Sequence, residues 1–392
     1  MDLYNYKERV KDAIARYQQS DDYNTQKVVE FTNKLIAENL SYGRIWKYIY
    51  SLREIDRRLG GKSFDSVTKR DIENLISELN TSHYSEWTKH SYRVVIKRFW
   101  KWLKGDENYP IEVKWIKASC KQRNKIAIRP EDVLTMDEVR AMVENCSPIR
   151  DKAMLLTLFE SGMRPGELLT MRIKNIKFDE QGAYISATGK TGDKVVFVYL
   201  SAPLLSQWIS QHPQNRNPDA FLWISLNQRN YLGIISPQRL GHIVKDAAKK
   251  ANITKRVWTY LLRHSAATDD AKMMSHAVLC AKFGWSASSA MPGVYVHLGA
   301  SDIKDAQLEK YGLVAKDAPK LEMQKCPRCN QSAGIGMTFC AFCGLCLSVE
   351  TKAKLQEKET QKSDDVASLK KDVGQLKSML GAHPVRGLVP WQ

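Results

Sequence analysis

The chain has 392 residues, 43% of them apolar, which is too long for one ordinary compact domain and too apolar for a disordered chain. Its formal net charge of +17 sets it apart from an average metabolic enzyme and points to a polyanionic partner, most simply nucleic acid. No run approaches the roughly 20 continuous apolar residues of a membrane-spanning helix. The polar start, Met1 to Arg9, lacks the apolar stretch of a secretory signal, so a soluble, cytoplasmic, nucleoid-associated protein is expected, with no membrane partner.

Residues 1–118 read as an all-α domain. Within Ser91–Lys104, Tyr92, Val95, Ile96, Phe99 and Leu103 fall on one helical face. Arg93, Lys97, Lys101 and Lys104 form a second stripe, with Trp100 beside it. A cationic face backed by an apolar one suits a helix laid against a phosphate backbone, and these four are the candidate DNA-binding residues. A merely solvated face fits the same pattern equally well. Residues 119–132 look like a basic linker.

A capping box, Thr135-Met-Asp-Glu138, opens a second domain over 133–315. A helix is expected from Pro148 to Glu160, with a stop at Gly162. Two β-branched runs, Ala183–Ala187 and Val195–Leu200, flank Gly189-Lys190-Thr191-Gly192 and read as a hairpin. Helices are expected at Pro203–Gln211, Pro237–Ala251, Leu261–Lys272 and His276–Phe283. The fold class is therefore mainly α with a small antiparallel sheet.

Five of the eight cysteines crowd between Cys326 and Cys346. Cys326-Pro-Arg-Cys329 and Cys340-Ala-Phe-Cys343 make two Cys-x-x-Cys knuckles, the pattern of a tetrahedral structural Zn²⁺ site, and predict a zinc ribbon over 322–348. Four thiolates leave no open coordination position, so this metal is not expected to catalyse anything. Cys346 is spare or a substitute ligand; Cys120, Cys146 and Cys280 are packing residues. In the tail, 350–382, Val366, Leu369, Val373, Leu376 and Leu380 keep heptad spacing over two heptads, although Gly374 interrupts them.

Along the second domain lies a set of residues whose order matters more than any one of them. Singly, each is as well read as a surface charge, a turn residue or a core aromatic. Arg164 stands in Gly162-Met-Arg-Pro-Gly-Glu167, Lys190 at the hairpin tip, Arg263 and His264 in Tyr260-Leu-Leu-Arg-His, then Gly284-Trp285 and Tyr295. Over residues 135–300 this order resembles the tyrosine recombinase (phage integrase) family, and its wording is most similar to archaeal plasmid and virus integrases. The resemblance implies a catalytic domain of that family, preceded by a helical core-binding domain. It implies Arg164, Lys190, Tyr260, Arg263, Trp285 and Tyr295 as catalytic residues, with Glu167 and His264 supporting them.

The implied chemistry is site-specific cutting and rejoining of DNA through a covalent 3′-phosphotyrosine, for integration or excision of a mobile element. Attack of a phenol on a phosphodiester builds negative charge on the nonbridging oxygens, which two guanidiniums can clamp bidentately. A lysine can protonate the leaving 5′-oxygen if nearby arginines depress its pKa. Neither nucleotide nor catalytic metal is expected, because the phosphotyrosine conserves the bond. Double-stranded attachment sites and a homotetramer assembled on them are the implied partners. One departure stands out: Tyr260 occupies the place of a histidine, so no general base for Tyr295 is evident. Alternatives are a host chromosome-dimer resolvase, a type IB topoisomerase-like relaxing enzyme, and a catalytically weak DNA-binding relic.

Overall fold

The structure, a computed structural model, describes residues 2–105, 107–119, 130–189 and 192–296, with scattered positions beyond, among them 325–329, 337, 339–340 and 345–347. The chain forms two compact units, Met1–Arg129 and Pro130–Gln392. The expected linker falls for the most part outside the described residues.

The first unit is built from α1 (Tyr6–Tyr17), α2 (Tyr23–Ala37), α3 (Tyr42–Arg58), α4 (Lys69–Thr81), α5 (Glu86–Leu103) and α6 (Ile111–Lys114). Side-chain caps set the starts of α2, α4 and α5, where Asp22, Thr68 and Ser85 accept from the third residue beyond them. An aromatic cluster fills the core, with Phe99 edge-on to Phe31 at 5.3 Å and to Phe64 at 4.9 Å. Trp100 belongs to this core and not to the cationic stripe, since Phe64 packs against it and leaves it fully buried. The apolar arc of α5 is thus wider than the stripe read from spacing.

The second unit contains α7 (Met136–Glu144), α8 (Ile149–Ser161), α9 (Pro165–Leu169), α10 (Ala202–Ser210), α11 (Pro237–Lys250), α12 (Thr259–Asp270), α13 (His276–Phe283) and α14 (Pro292–Tyr295). The capping box is present in both directions, Glu138 N to Thr135 Oγ1 at 3.2 Å and Thr135 N to Glu138 Oε2 at 2.8 Å. α8 is buried on nearly every side and forms the central helix, with α7, α10 and α12 packed on it.

The sheet has three antiparallel strands in the order β1 (Ile176–Phe178), β2 (Ala183–Gly189) and β3 (Gly192–Val198). The β2–β3 register pairs Gly189 with Gly192, and Lys190 and Thr191 between them lie outside the described residues. β1 was not anticipated, because a strand of 3 residues shows no period. Ala183, Ile185, Ala187, Val196 and Val198 point into the core. On the opposite face Tyr184 and Phe197 meet cross-strand at 5.1 Å, in solvent.

No described helix is long and apolar enough to cross a membrane. In the tail, Val366, Leu369 and Val373 are helical and exposed, while Leu376 and Leu380 lie outside the described residues.

Candidate active site

α8 ends at Gly162, whose φ of +58° is left-handed and therefore suits glycine. A Cβ there would also meet Phe283 Cε1 at 2.3 Å, so glycine is required on both counts. Two residues on, Arg164 caps the N-terminus of α9. Its backbone N–H donates to Glu167 Oε2 at 3.0 Å and its guanidinium to Oε1 at 2.6 Å. Glu167 is buried, and Gly189 on β2 lets it approach the hairpin: a Cβ at 189 would stand 2.6 Å from Oε1.

The second cation on this carboxylate is Lys194, with Nζ 3.0 Å from Oε2 and side chains 7% and 5% exposed. Nζ also donates to the Lys282 carbonyl at 3.3 Å. Burial pushes Glu167 up, but the Arg164 N–H, Lys194 and the Arg164 guanidinium together hold it below the usual carboxylate range. Lys194 itself is driven below the ordinary lysine range by burial, with help from Arg263 and Arg164. The sequence reading missed this residue. The signal was available: Lys194 shares the inward-facing parity of Val196 and Val198 on β3, an anomalous place for a lysine.

From α12 comes Arg263, 5% exposed. Its Nη1 donates to the Gly162 carbonyl at 2.5 Å and its Nη2 to the Phe283 carbonyl at 2.8 Å, which tie it to the ends of α8 and α13. The guanidinium lies over the Phe283 and Trp285 rings at 5.1 and 5.7 Å. Burial and then Arg164 push its pKa down to about 10, which leaves it charged at neutral pH.

Tyr295 closes the group from α14. Its ring stacks on Trp285 at 5.6 Å and 6°, and its hydroxyl lies 2.7 Å from His264 Nδ1. Burial raises the phenol pKa against the pull of Arg263. His264, one residue after Arg263 on α12, is lowered by burial and by that arginine. Tyr260 occupies the same helix but is 45% exposed, and its electrostatic influence reaches Arg263. The fold therefore links Arg164, Glu167, Arg263, His264, Trp285 and Tyr295 through a chain of direct or electrostatic contacts, while Lys190 lies outside the described residues. Two fixed guanidiniums beside a buried phenol hydrogen-bonded to an imidazole can bind a phosphodiester and attack it.

Residues 132–301 match the family model described as the phage integrase family. Similar proteins include the tyrosine recombinase XerA of Pyrococcus horikoshii, 27% identical over 248 residues, covering 62% of this chain and 79% of that one. XerA of Pyrococcus furiosus is 25% identical over 280 residues, covering 71% and 91%. Residues 132–301 form a domain of the phage integrase family. The fold of the chain also resembles XerH bound to a palindromic difH substrate, TM-score 0.55 at 18% identity, covering 79% of this chain and 96% of that one. A lambda integrase tetramer bound to a Holliday junction has TM-score 0.54 at 14% identity, covering 72% and 79%.

Two further groups of expected site residues can be located in the chain. On α5, Arg93 donates to Asn80 Oδ1 at 2.6 Å, Lys97 to the Ile116 carbonyl at 2.9 Å and Lys104 to the Asp65 carbonyl at 3.1 Å. Lys97 and Lys101 also sit over the Tyr109 ring at 4.3 and 5.4 Å. All four cations are engaged inside their own unit, so any role on DNA requires them to share or leave these partners.

The sulfurs of Cys326, Cys329 and Cys340 lie within 4.8 Å of one another, whereas Cys343 lies outside the described residues. Cys340 N donates to the Leu345 carbonyl at 2.7 Å and Phe339 pairs with Cys346. Three converging thiols of this kind fit a soft tetrahedral cation. Cys146 and Cys280 are buried elsewhere as packing residues; Cys120 lies outside the described residues.

Proposed function

We propose that the protein is a tyrosine recombinase, which cuts and rejoins double-stranded DNA at a specific site through a covalent 3′-phosphotyrosine on Tyr295. The observation that carries this is the convergence of a buried, acceptor-bonded Tyr295 with the anchored Arg263 and the Glu167-held Arg164. The two guanidiniums hold the nonbridging oxygens, Tyr295 displaces the 5′-oxygen, and Lys190 protonates the leaving group. Trp285 holds the Tyr295 ring by stacking, and Glu167 with Lys194 fixes Arg164. Rejoining runs the same steps backwards, so no nucleotide is consumed. Recombination requires four cleavages, for which a homotetramer on two sites is the working unit.

The test lets the protein select its own site. Random-sequence nicked duplexes are incubated with the full chain, and DNA that remains protein-linked after denaturation is recovered and amplified. Wild type is expected to enrich one partly palindromic sequence, and Tyr295→Phe none. Capture by neither protein, or equally by both, refutes the assignment and favours the DNA-binding relic.

Use by a mobile element, rather than in chromosome-dimer resolution, is favoured by the cysteine cluster and tail, which lie beyond the residues matched to the family model. A two-plasmid assay with the enriched site separates integration from resolution of directly repeated sites. Cys326, Cys329, Cys340 and Cys343 hold a structural Zn²⁺ that orders the C-terminal ribbon and takes no part in strand cleavage. One zinc per chain by elemental analysis is expected, reduced by Cys326→Ser.

A further inference from the structure

Tyr295 must lose a proton to attack phosphorus, and its phenol is harder to ionise than usual because it is buried. Tyr260, the residue standing where a histidine was expected, is a poor acceptor at neutral pH and is 45% exposed to solvent. What does touch the Tyr295 hydroxyl is His264 Nδ1, at 2.7 Å. The two rings lie 5.9 Å apart and inclined by 33°, and Tyr295 also stacks on Trp285. The hydroxyl is therefore held against the imidazole before any DNA is bound.

We propose that His264 is the general base for the cleavage step, accepting the Tyr295 proton at Nδ1 and returning it during rejoining. This rests on Tyr295 being the nucleophile. As the Oη–P bond forms and the P–O5′ bond breaks, the phenolic proton passes to Nδ1. The 5′-oxygen takes its proton from a separate donor, the Lys190 ammonium, and nothing is oxidised or reduced. Accepting at Nδ1 requires a neutral ring with its proton on Nε2.

The surroundings favour that neutral form. Burial and the Arg263 charge on the same helix both lower the His264 pKa. The titratable group that α14 brings to the ring is the Tyr295 phenol. On α13, Lys282 is paired with Asp270 of α12 at 2.6 Å. On α8, Glu160 is taken up by the amides of Tyr199, Leu200 and Ser201. The cations Arg239, Lys245, Lys249 and Lys250 of α11 are exposed to solvent.

The experiment measures single-turnover covalent adduct formation on the duplex enriched by capture, from mildly acidic to mildly alkaline pH, for wild type, His264→Gln and His264→Ala. Duplex binding and thermal melting are followed alongside. Wild type is expected to reach a plateau whose midpoint lies below the ordinary histidine value. His264→Gln, which can still hydrogen-bond but cannot take a proton, is expected to cleave about 10²-fold more slowly or worse. Its rate should climb about tenfold per pH unit through neutrality, as hydroxide replaces the base, with duplex binding retained.

Placing a more acidic, ring-fluorinated tyrosine at position 295 should restore most of the rate in His264→Gln, since an ionised phenol needs no base. A glutamine variant that cleaves like wild type, or one slowed equally at every pH and indifferent to fluorination, overturns the proposal and leaves His264 a packing residue. The wild-type profile is an arm needing no variant, and a wild-type rate still rising tenfold per unit through neutrality also overturns it. Absence of any wild-type adduct would instead refute Tyr295 as nucleophile.

Discussion

Replacing Lys194 by methionine removes one partner of a buried ion pair while filling most of the same volume. Lys194 and Glu167 are 7% and 5% exposed, so the carboxylate left behind cannot be rescued by water. Breaking such a pair costs about 3–5 kcal/mol. Glu167 keeps the Arg164 N–H and guanidinium, which places the expectation at the low end, about 3 kcal/mol. For a unit of this size that corresponds to roughly 6–12 °C in melting temperature.

Scanning calorimetry of the full chain, following the transition of the second unit, measures the effect directly. The companion is Glu167→Gln, which leaves Lys194 unpaired. In the double variant neither charge is stranded, so its destabilisation should fall short of the sum of the singles by about 1–3 kcal/mol. A Lys194→Met chain melting within about 1 °C of wild type would show that Glu167 is satisfied by Arg164 alone. Strictly additive singles would show that the two side chains do not act as a pair.

Other consequences are simpler to state. Gly162→Ala combines a left-handed backbone with a clash against Phe283, whose carbonyl anchors Arg263; we expect about 2 kcal/mol or more of destabilisation and loss of adduct, seen by melting and denaturing gel. Trp285→Ala removes the stack beneath Tyr295 and should slow adduct formation with duplex affinity unchanged in a gel-shift titration. Glu138, held by Lys255 and the Thr135 N–H despite partial burial, has a folded pKa below its unfolded one. Its contribution is therefore present above the usual carboxylate pKa and lost as pH falls through the depressed value, so acid melts of Glu138→Gln should show a shallower decline than wild type. Chelating zinc should lower ribbon protection in hydrogen exchange around Cys326 and Cys340 and leave single-turnover cleavage of a bound duplex unchanged.

Much of this could be read in the sequence because the information was local. Gly162, the Thr135–Glu138 box and the glycines flanking Lys190 each mark an element end by chemistry confined to a few residues. The α5 stripe was legible as a pattern but not as an interface. Whether Lys97 faces solvent depends on Ile116 and Tyr109, which approach only in the folded unit. Lys194 was passed over because a lysine in a β-branched run reads as an edge residue until the inward parity of Val196 and Val198 is known. The bond from His264 to Tyr295 spans 31 positions and depends on where α14 lands, which no spacing rule supplies.

Arg263 carries an implication in its valence. A guanidinium offers five N–H donors in a fixed fork. Among the described residues two are spent, on the Gly162 and Phe283 carbonyls, which leaves three for an incoming phosphate. An ammonium offers three donors on a flexible stem, and satisfying the same carbonyls would leave it one. Lysine at 263 could therefore hold the two helix ends together yet meet a phosphate with a single hydrogen bond, preserving the framework while forfeiting bidentate recognition.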